Sequence, residues 1–354
     1  MTSNSITPMK AINVHEFIQD FSNVNGNMTM NDEAERPTLK KNQMLIKVLA
    51  CSLSPGDVIK VGGNLIFLHP SKFPFVPGMD VCGTVEDPNG DERFQVGDIV
   101  VAADGINSEG GMAEYMAIPK SEAVLKPAQV GVLEAASSSS AITARNAVLD
   151  NVKKGDRVLI LGGSGGVGSA CIQLAKHHAK ASFVATTSTQ SAFCESLGVD
   201  QVINYRTENW WELEAFQQNK FDVIIDTVGG GNFTNKAKKV LKTRKQGGSF
   251  IAVTGDDPKP KVDTWWKAIK FMAKMPARPL YTWWNGKRLP KYVALMPYDY
   301  PQGRKQVLDM MDDKTLKIPM DKQSPLPFTE EGVKKAFEIV ASGHAHGKVV
   351  VSME

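Results

Sequence analysis

Cysteine, histidine and acid side chains gather in one early part of the chain. Cys51 and Cys82 bracket His69, and the stretch "FPFVPGMDVCGTV" (residues 73–85) sets Asp80 two residues before the second thiol. Thiolate, imidazole and carboxylate are the donors zinc prefers, so this corner raises a metal site. The competing reading makes Cys82 a small buried hydrophobe on a strand, the usual place of a free cysteine. Asp57 and Asp80 carry a similar choice. Each has the chemistry of a general acid, and acids in such turns also fix loops by accepting backbone N–H groups. The remaining candidates have plainer readings. Cys171 falls on a helix and reads as core, His177 and His178 end that helix where positive charge suits its dipole, and His69 belongs to a loop.

A second chemistry-bearing stretch is "RVLILGGSGGVGSACIQLA" (157–175), which holds G-x-G-x-x-G as Gly163, Gly165 and Gly168. It follows a continuous apolar strand and opens a helix, the context that gives such a motif meaning. Glycines let the backbone turn tightly and approach a pyrophosphate, and the helix N-terminus offers free N–H groups and the positive end of a dipole. An NAD site places an acid about 20 residues on, for the ribose 2′-hydroxyl. Here "VATTSTQSA" has none from Thr186 to Gln190. That absence favours NADP over NAD, with the Thr187 and Ser188 hydroxyls as donors to the 2′-phosphate.

These stretches need a frame, and two grammars supply it. Up to about Lys126 the chain reads as short strands divided by turns, among them "QMLIKVLACSL", "VCGTVED" and "GDIVVAA". From there strands and helices alternate with short connections, the pattern of right-handed βαβ units and a doubly wound parallel sheet. The fold class is α/β. A length of 354 residues points to two domains. Apolar content of 42% with 22% charge describes a globular protein, and a net charge of +3 without a basic stripe argues against a nucleic-acid partner. The N-terminal stretch has neither a signal-peptide core nor a transit peptide's arginines. Four cysteines fit a reducing compartment, and the expected location is cytoplasmic.

The order of motifs resembles the medium-chain dehydrogenase/reductase superfamily, in its zinc-independent quinone oxidoreductase (zeta-crystallin-like) branch. "SLSPGDV", "PGMDVCGTV", "VGDIVVAA", "GGMAEYMAIP", "ITARNAV", the glycine loop, "LGVDQVINYR", "FDVIIDTVGG" and "GHAHGKVVV" carry it. The resemblance implies a GroES-like substrate domain from residues 1–126 and 316–354, with a Rossmann domain, 127–315, between them. Residues 256–300 match no family pattern and read as an insertion. Gly163, Ser164, Gly165, Gly166, Val167 and Gly168 would hold the pyrophosphate. Thr143 and Thr254 would lie near the nicotinamide, Asn204 and Tyr205 near the adenosine, and Lys348 near the cofactor phosphates. Relatives often carry lysine where this chain has Gln190, and arginine where it has His346.

The resemblance also answers the metal question. Zinc-dependent members bind the ion at positions that are Ser54, Met79 and Ser139 here, none a good zinc ligand. The structural-zinc cysteines are missing from "AADGINSEGGMAEY". The expectation is a zinc-free enzyme passing hydride from NADPH to a quinone or an α,β-unsaturated carbonyl, acceptors whose conjugation already stabilises charge. Ser54 would contact the substrate oxygen, with Asp57 as a second catalytic candidate. The alternative is an NADPH-binding protein with little turnover, serving as scaffold, RNA-binding or membrane-associated protein. A homodimer is the family habit. Trp265, Trp266, Trp283 and Trp284, with their lysines and arginines, suit either a membrane surface or a lid or dimer segment. Pro276 and Pro279 are expected to stop them from sharing one helix.

Overall fold

The structure, a computed structural model, describes residues 8–103, 110–295 and 301–353. A hairpin of β1 (Met9–Val14) and β2 (Met28–Ala34) comes first. β3 (Gln43–Leu53) runs into α1 (Pro55–Val61). β4 (Asp80–Asp87), β5 (Ile99–Ala103), β6 (Tyr115–Pro119) and β7 (Val124–Leu125) follow. Short helices α2 (Val132–Ala136) and α3 (Ser139–Val148) lead into the alternating part. That part holds β8 (Arg157–Leu161), α4 (Gly166–Gln173), β9 (Phe183–Thr187), α5 (Ser191–Ser196) and β10 (Gln201–Ile203). It continues with α6 (Glu214–Gln218), β11 (Val223–Asp226), α7 (Lys238–Val240), β12 (Ser249–Ala252), α8 (Trp265–Trp284) and β13 (Lys291–Ala294). The last elements are α9 (Pro301–Asp312), β14 (Leu326–Pro327), α10 (Glu330–Ala341) and β15 (Val349–Ser352).

Packing divides the chain into two units, 1–139 with 299–313 and 320–354, and 140–298 with 314–319. The boundaries drawn from sequence at 126 and 316 thus differ from the division by packing. α9 accounts for much of the difference. Its Arg304 is buried and donates to the Glu122 carbonyl beside β7, and its Asp312 carboxylate accepts the Gln129 N–H at 3.0 Å.

In the first unit β3 is the hub. β4, β6 and β15 all pair with it, antiparallel. Its burial alternates from Gln43 to Val48 and becomes continuous from Ala50 to Leu53, where β4 and β15 flank it on both sides. Register then decides what meets at that end. Ser52 stands opposite Asp80, and Leu53 stands opposite Val349. Ser54, Asp80 and Lys348, from three distant segments, therefore emerge at one corner.

The second unit is a six-stranded parallel sheet in the order β10-β9-β8-β11-β12-β13. Counted along the chain this is 3-2-1-4-5-6, the dinucleotide-binding order, with its switch point between β8 and β11. Val158–Leu161 and Val223–Asp226 are buried throughout, as strands covered on both faces should be.

The described part of the stretch expected to be an insertion, residues 256–295, does not stand outside this rhythm. α8 and β13 are the sheet's last helix and strand, and β13 pairs parallel with β12. The expectation that Pro276 and Pro279 would divide the tryptophan pairs is also wrong, since α8 runs unbroken from Trp265 to Trp284. Proline removes an N–H and crowds the preceding turn. Here both prolines lie on a largely exposed helix, where water can take up the carbonyls that lose a partner. Thr282, on the buried side, ties the helix to the sheet. Its hydroxyl donates to the Pro279 carbonyl at 3.0 Å and accepts the Tyr292 N–H at 3.2 Å.

Candidate active site

The glycine loop sits at the switch point. Leaving β8, the chain turns at Gly162 with φ +87°. The Gly162 N–H donates to Thr187 Oγ1 at 3.0 Å, and the Gly163 N–H to the Thr187 carbonyl at 3.1 Å. The motif glycines have different reasons to be glycine. A Cβ on Gly163 would stand 2.2 Å from Thr186 Oγ1, and one on Gly168 would stand 2.1 Å from the Gly162 carbonyl oxygen. Both are demanded by the protein's own packing. A Cβ on Gly165 meets nothing closer than 3.7 Å, with φ −76°, which any residue adopts. Internal packing does not account for glycine at 165. Ser164 to Val167 stay partly open, whereas Gly163 and Gly168 are buried. Behind them α4 presents the unpaired N–H groups of its first turn. An open, Cβ-free cradle at a helix N-terminus fits a dinucleotide pyrophosphate.

The rest of the predicted cofactor set is spread around this sheet edge. Asp226, ending β11, accepts the N–H groups of Val228 and Gly229 at 3.0 and 2.9 Å and the Asn232 amide at 3.1 Å. It thereby fixes the turn Gly229–Gly231, three glycines in left-handed backbone, and burial raises its pKa. Thr254 packs against Gly229 and donates to the Thr227 carbonyl at 3.0 Å. Thr143 is half-buried on α3. Thr187 and Ser188 are buried, and the Ser188 hydroxyl accepts the Gln190 N–H at 3.0 Å. They shape the loop after β9 rather than present their hydroxyls outward, contrary to the expectation that they donate to a phosphate. Asn204 holds the next loop by accepting the Arg206 N–H at 3.1 Å, and Tyr205 is half-exposed. Sequence reading passed over Arg206, the first cation after β10. It is exposed, and it has no ion pair among the described residues.

The corner of the β-rich unit gathers the other candidates. Asp57 Oδ2 accepts the Ser54 N–H at 2.8 Å and the Ser54 hydroxyl at 2.9 Å, clasping the first turn of α1. Asp57 is buried, and its Oδ1 has no partner among the described residues. Burial, then the Asp80 carboxylate, push its pKa up to about 6, against the Ser54 hydrogen bonds and Lys348. Asp80 Oδ2 accepts the Ser139 hydroxyl at 2.5 Å and faces the Lys348 ammonium at 3.5 Å. Lys348 Nζ also lies 3.4 Å from Ser139 Oγ. The Lys348 ammonium, expected near the cofactor phosphates, is buried against an acid of this unit.

Met79 and Ser54 share this corner. A Cβ on Gly56 would lie 3.3 Å from Ser54 Oγ and 3.6 Å from Met79 Sδ. Two hydroxyls and a thioether are a poor donor set for zinc, and the Lys348 ammonium already faces the nearby Asp80 carboxylate. The residues present do not fit the ion. Among the described residues no three His, Cys, Asp or Glu side chains form a metal-holding group. All four cysteines are free and buried, and burial pushes the Cys82 thiol up to about 12. Cys51 packs its sulfur against Gly78 and Gly111.

Known proteins share this two-part architecture. A family model described as alcohol dehydrogenase GroES-like domain matches residues 40–128, and one described as zinc-binding dehydrogenase matches residues 197–351. The 2-methylene-furan-3-one reductase of Solanum lycopersicum is 34% identical over 328 residues, 89% of this chain and 73% of the relative. The NADPH-dependent alkenal/one oxidoreductase of Arabidopsis thaliana is 33% identical over 326 residues, again 89% and 73%. Among solved structures, the quinone oxidoreductase from Coxiella burnetii superposes with a TM-score of 0.77 at 26% identity, covering 98% of this chain and 99% of that one.

Proposed function

The chain belongs to the medium-chain dehydrogenase/reductase superfamily, in its quinone oxidoreductase branch, and from that premise we propose that it reduces a quinone or an α,β-unsaturated carbonyl with NADPH. The observation that carries the cofactor half is the open Gly165 cradle at the switch point, with no acid at the end of β9. Relatives named as alkenal/one oxidoreductase, 2-methylene-furan-3-one reductase and quinone oxidoreductase support the acceptor half.

NADPH, when bound, supplies a hydride. This chain's residues do the rest. Ser164 to Val167 and the first turn of α4 hold the pyrophosphate, and Arg206 meets the 2′-phosphate. Tyr205 and Asn204 line the adenosine end, and Thr143 and Thr254 the nicotinamide end. Reduction of a conjugated C=C adds one hydride and one proton. In this reading Ser54 Oγ meets the substrate oxygen, and Asp57, which accepts that hydroxyl's hydrogen bond at 2.9 Å and has its pKa raised to about 6, takes up and returns a proton near neutral pH. The donor set argues against zinc at this corner, so the positive charge there is the fixed ammonium of Lys348. The same reading includes a homodimer, supported by β13 standing last in its sheet with an unpaired outer edge among the described residues.

The test is cofactor oxidation by purified protein with quinone and enone acceptors. NADPH should be oxidised in preference to NADH, and chelators should have no effect. Tight NADPH binding with negligible turnover on every acceptor would replace the enzyme reading by a binding protein. A need for added zinc, with turnover of simple alcohols and NAD, would overturn it.

A further inference from the structure

α8 has three faces. At 3.6 residues per turn, Ala268, Phe271, Arg278 and Thr282 form one stripe turned to the protein, and Ala268 and Thr282 are buried. About 120° around the helix runs a second stripe, Trp265, Ile269, Met272, Pro276, Leu280 and Trp283, with Trp266 and Trp284 along its edge. Every one of these is exposed, and apart from Pro276 they range from 48% at Ile269 to 82% at Trp284. Lys270 and Lys274 border Trp266 and Trp284 on the third face. A row of apolar side chains about 30 Å long, with a tryptophan pair at each end, is more than the scattered apolar exposure normal on a surface.

We propose that this outward face of α8 docks on an anionic lipid bilayer, lying flat in its interface. Charge complementarity carries the choice of occupant. From Thr264 to Ala294 the chain holds seven lysines and arginines and no acid. Lys267 pairs with Asp263 and Arg278 with Asp256, outside that stretch. Lys270, Lys274, Lys287, Arg288 and Lys291 have no ion pair among the described residues, so they are available to lipid phosphates and carboxylates. Tryptophan suits the boundary between headgroup and acyl chain, since its ring is apolar with one polar edge. No described helix is long and apolar enough to cross a membrane, so the helix lies on the bilayer rather than through it. A second copy of this face is a worse occupant, because two basic rims would be brought against one another. The proposal does not depend on the oxidoreductase reading, and its test does not require turnover.

The experiment is flotation of the full chain with vesicles of phosphatidylcholine alone and with roughly 30 mol % phosphatidylserine. The bound fraction should be about tenfold higher on the anionic vesicles, fall with added salt, and be accompanied by a blue shift of tryptophan emission. Trp283→Ser with Trp284→Ser should abolish binding. Lys270→Gln with Lys274→Gln should weaken it about thirtyfold, since each cation near an anionic surface contributes about 1 kcal/mol. Circular dichroism and NADPH affinity of both variants should match the wild type, because the changes are on an exposed face. Wild-type protein that stays unbound with anionic vesicles overturns the proposal. So does equal binding to neutral vesicles with no effect of the lysine changes. Self-association, or binding to an acidic protein, that disappears in the tryptophan variant while vesicles remain unbound would assign the face to that protein contact instead.

Discussion

The glycine loop and the acid–lysine corner are built by opposite means. The loop is seven consecutive residues, Gly162 to Gly168, whose working groups are backbone N–H donors exposed by the absence of side chains. The corner is assembled from Ser54 and Asp57, Asp80, Ser139 and Lys348, with Asp80 and Lys348 separated by 268 positions. Its working groups are side chains, and strand register brings them together. A site made of backbone is damaged by adding atoms, whereas a site made of buried charges is damaged by removing one.

The largest expected effect is at the corner. Lys348→Met leaves the Asp80 carboxylate buried without its cation, which should cost about 3–5 kcal/mol of stability by chemical denaturation. Adding Asp80→Asn to it should recover most of that loss, because the cost is the orphaned charge. Equal stability of the single and double variants would mean that register alone, not charge, holds the corner. In the loop the contrast is between two glycines. Gly168→Ala drives a Cβ to within 2.1 Å of a backbone carbonyl and should cost about 3 kcal/mol. Gly165→Ala makes only an ordinary van der Waals contact, 3.7 Å from the Gly162 carbonyl oxygen, and should leave stability unchanged while lowering NADPH affinity about a hundredfold, read by titration calorimetry. A Gly165→Ala protein that binds NADPH normally would break the assignment of the cradle.

This contrast also explains what could be read in advance. The loop, its flanking strand and helix, and the parallel sheet were legible because their cues are local: a continuous apolar strand, spaced glycines, short connections. The role of Lys348 was not, because nothing near "GHAHGKVVV" says that β15 will pair with β3 and bring the lysine to Asp80. α8 was misread for a different reason. Its apolar residues face outward, so the pattern looked unlike a helix covering a sheet, and two prolines argued for a break that an exposed helix tolerates. Arg206 was overlooked because it follows the asparagine and tyrosine that drew attention to its loop, and only the pairing of β10 with β9 gives it a place.

Asp57 links the corner to pH. Its folded-state pKa is raised from 3.8 to about 6, so the folded protein holds that proton more tightly than the unfolded chain. The stabilisation is fully present below about pH 4 and is lost as pH rises through 6, amounting to up to about 3 kcal/mol by linkage. Asp57→Asn keeps an acceptor for the Ser54 N–H without the ionisation. It should therefore match the wild type near pH 4 and gain on it steadily up to about pH 7, in denaturation curves taken at each pH. Its reductase activity should fall and lose the wild type's decline through pH 6. A variant whose stability difference is flat with pH would show that Asp57 ionises as freely as in water.

The smallest effect is the most specific to the cofactor. β10 pairs with β9, Ile203 beside Thr187, so the loop carrying Arg206 lies next to the loop where a 2′-phosphate reader is expected. Thr187 and Ser188 are buried, Gln190 is uncharged, and Arg206 is left as the cation of these two loops. An exposed guanidinium meeting a phosphate is a charge-assisted contact weakened by solvent, which makes it worth about tenfold in affinity. Arg206→Ala should raise the KM for NADPH by about that factor, leave the KM for NADH unchanged, and lose the wild type's salt dependence. An equal rise for both cofactors would mean that Arg206 only shapes the adenosine loop. Selectivity would then come from a backbone N–H such as that of Thr189, the Gln190 N–H being held by the Ser188 hydroxyl, and the second unit would read its whole cofactor with backbone alone.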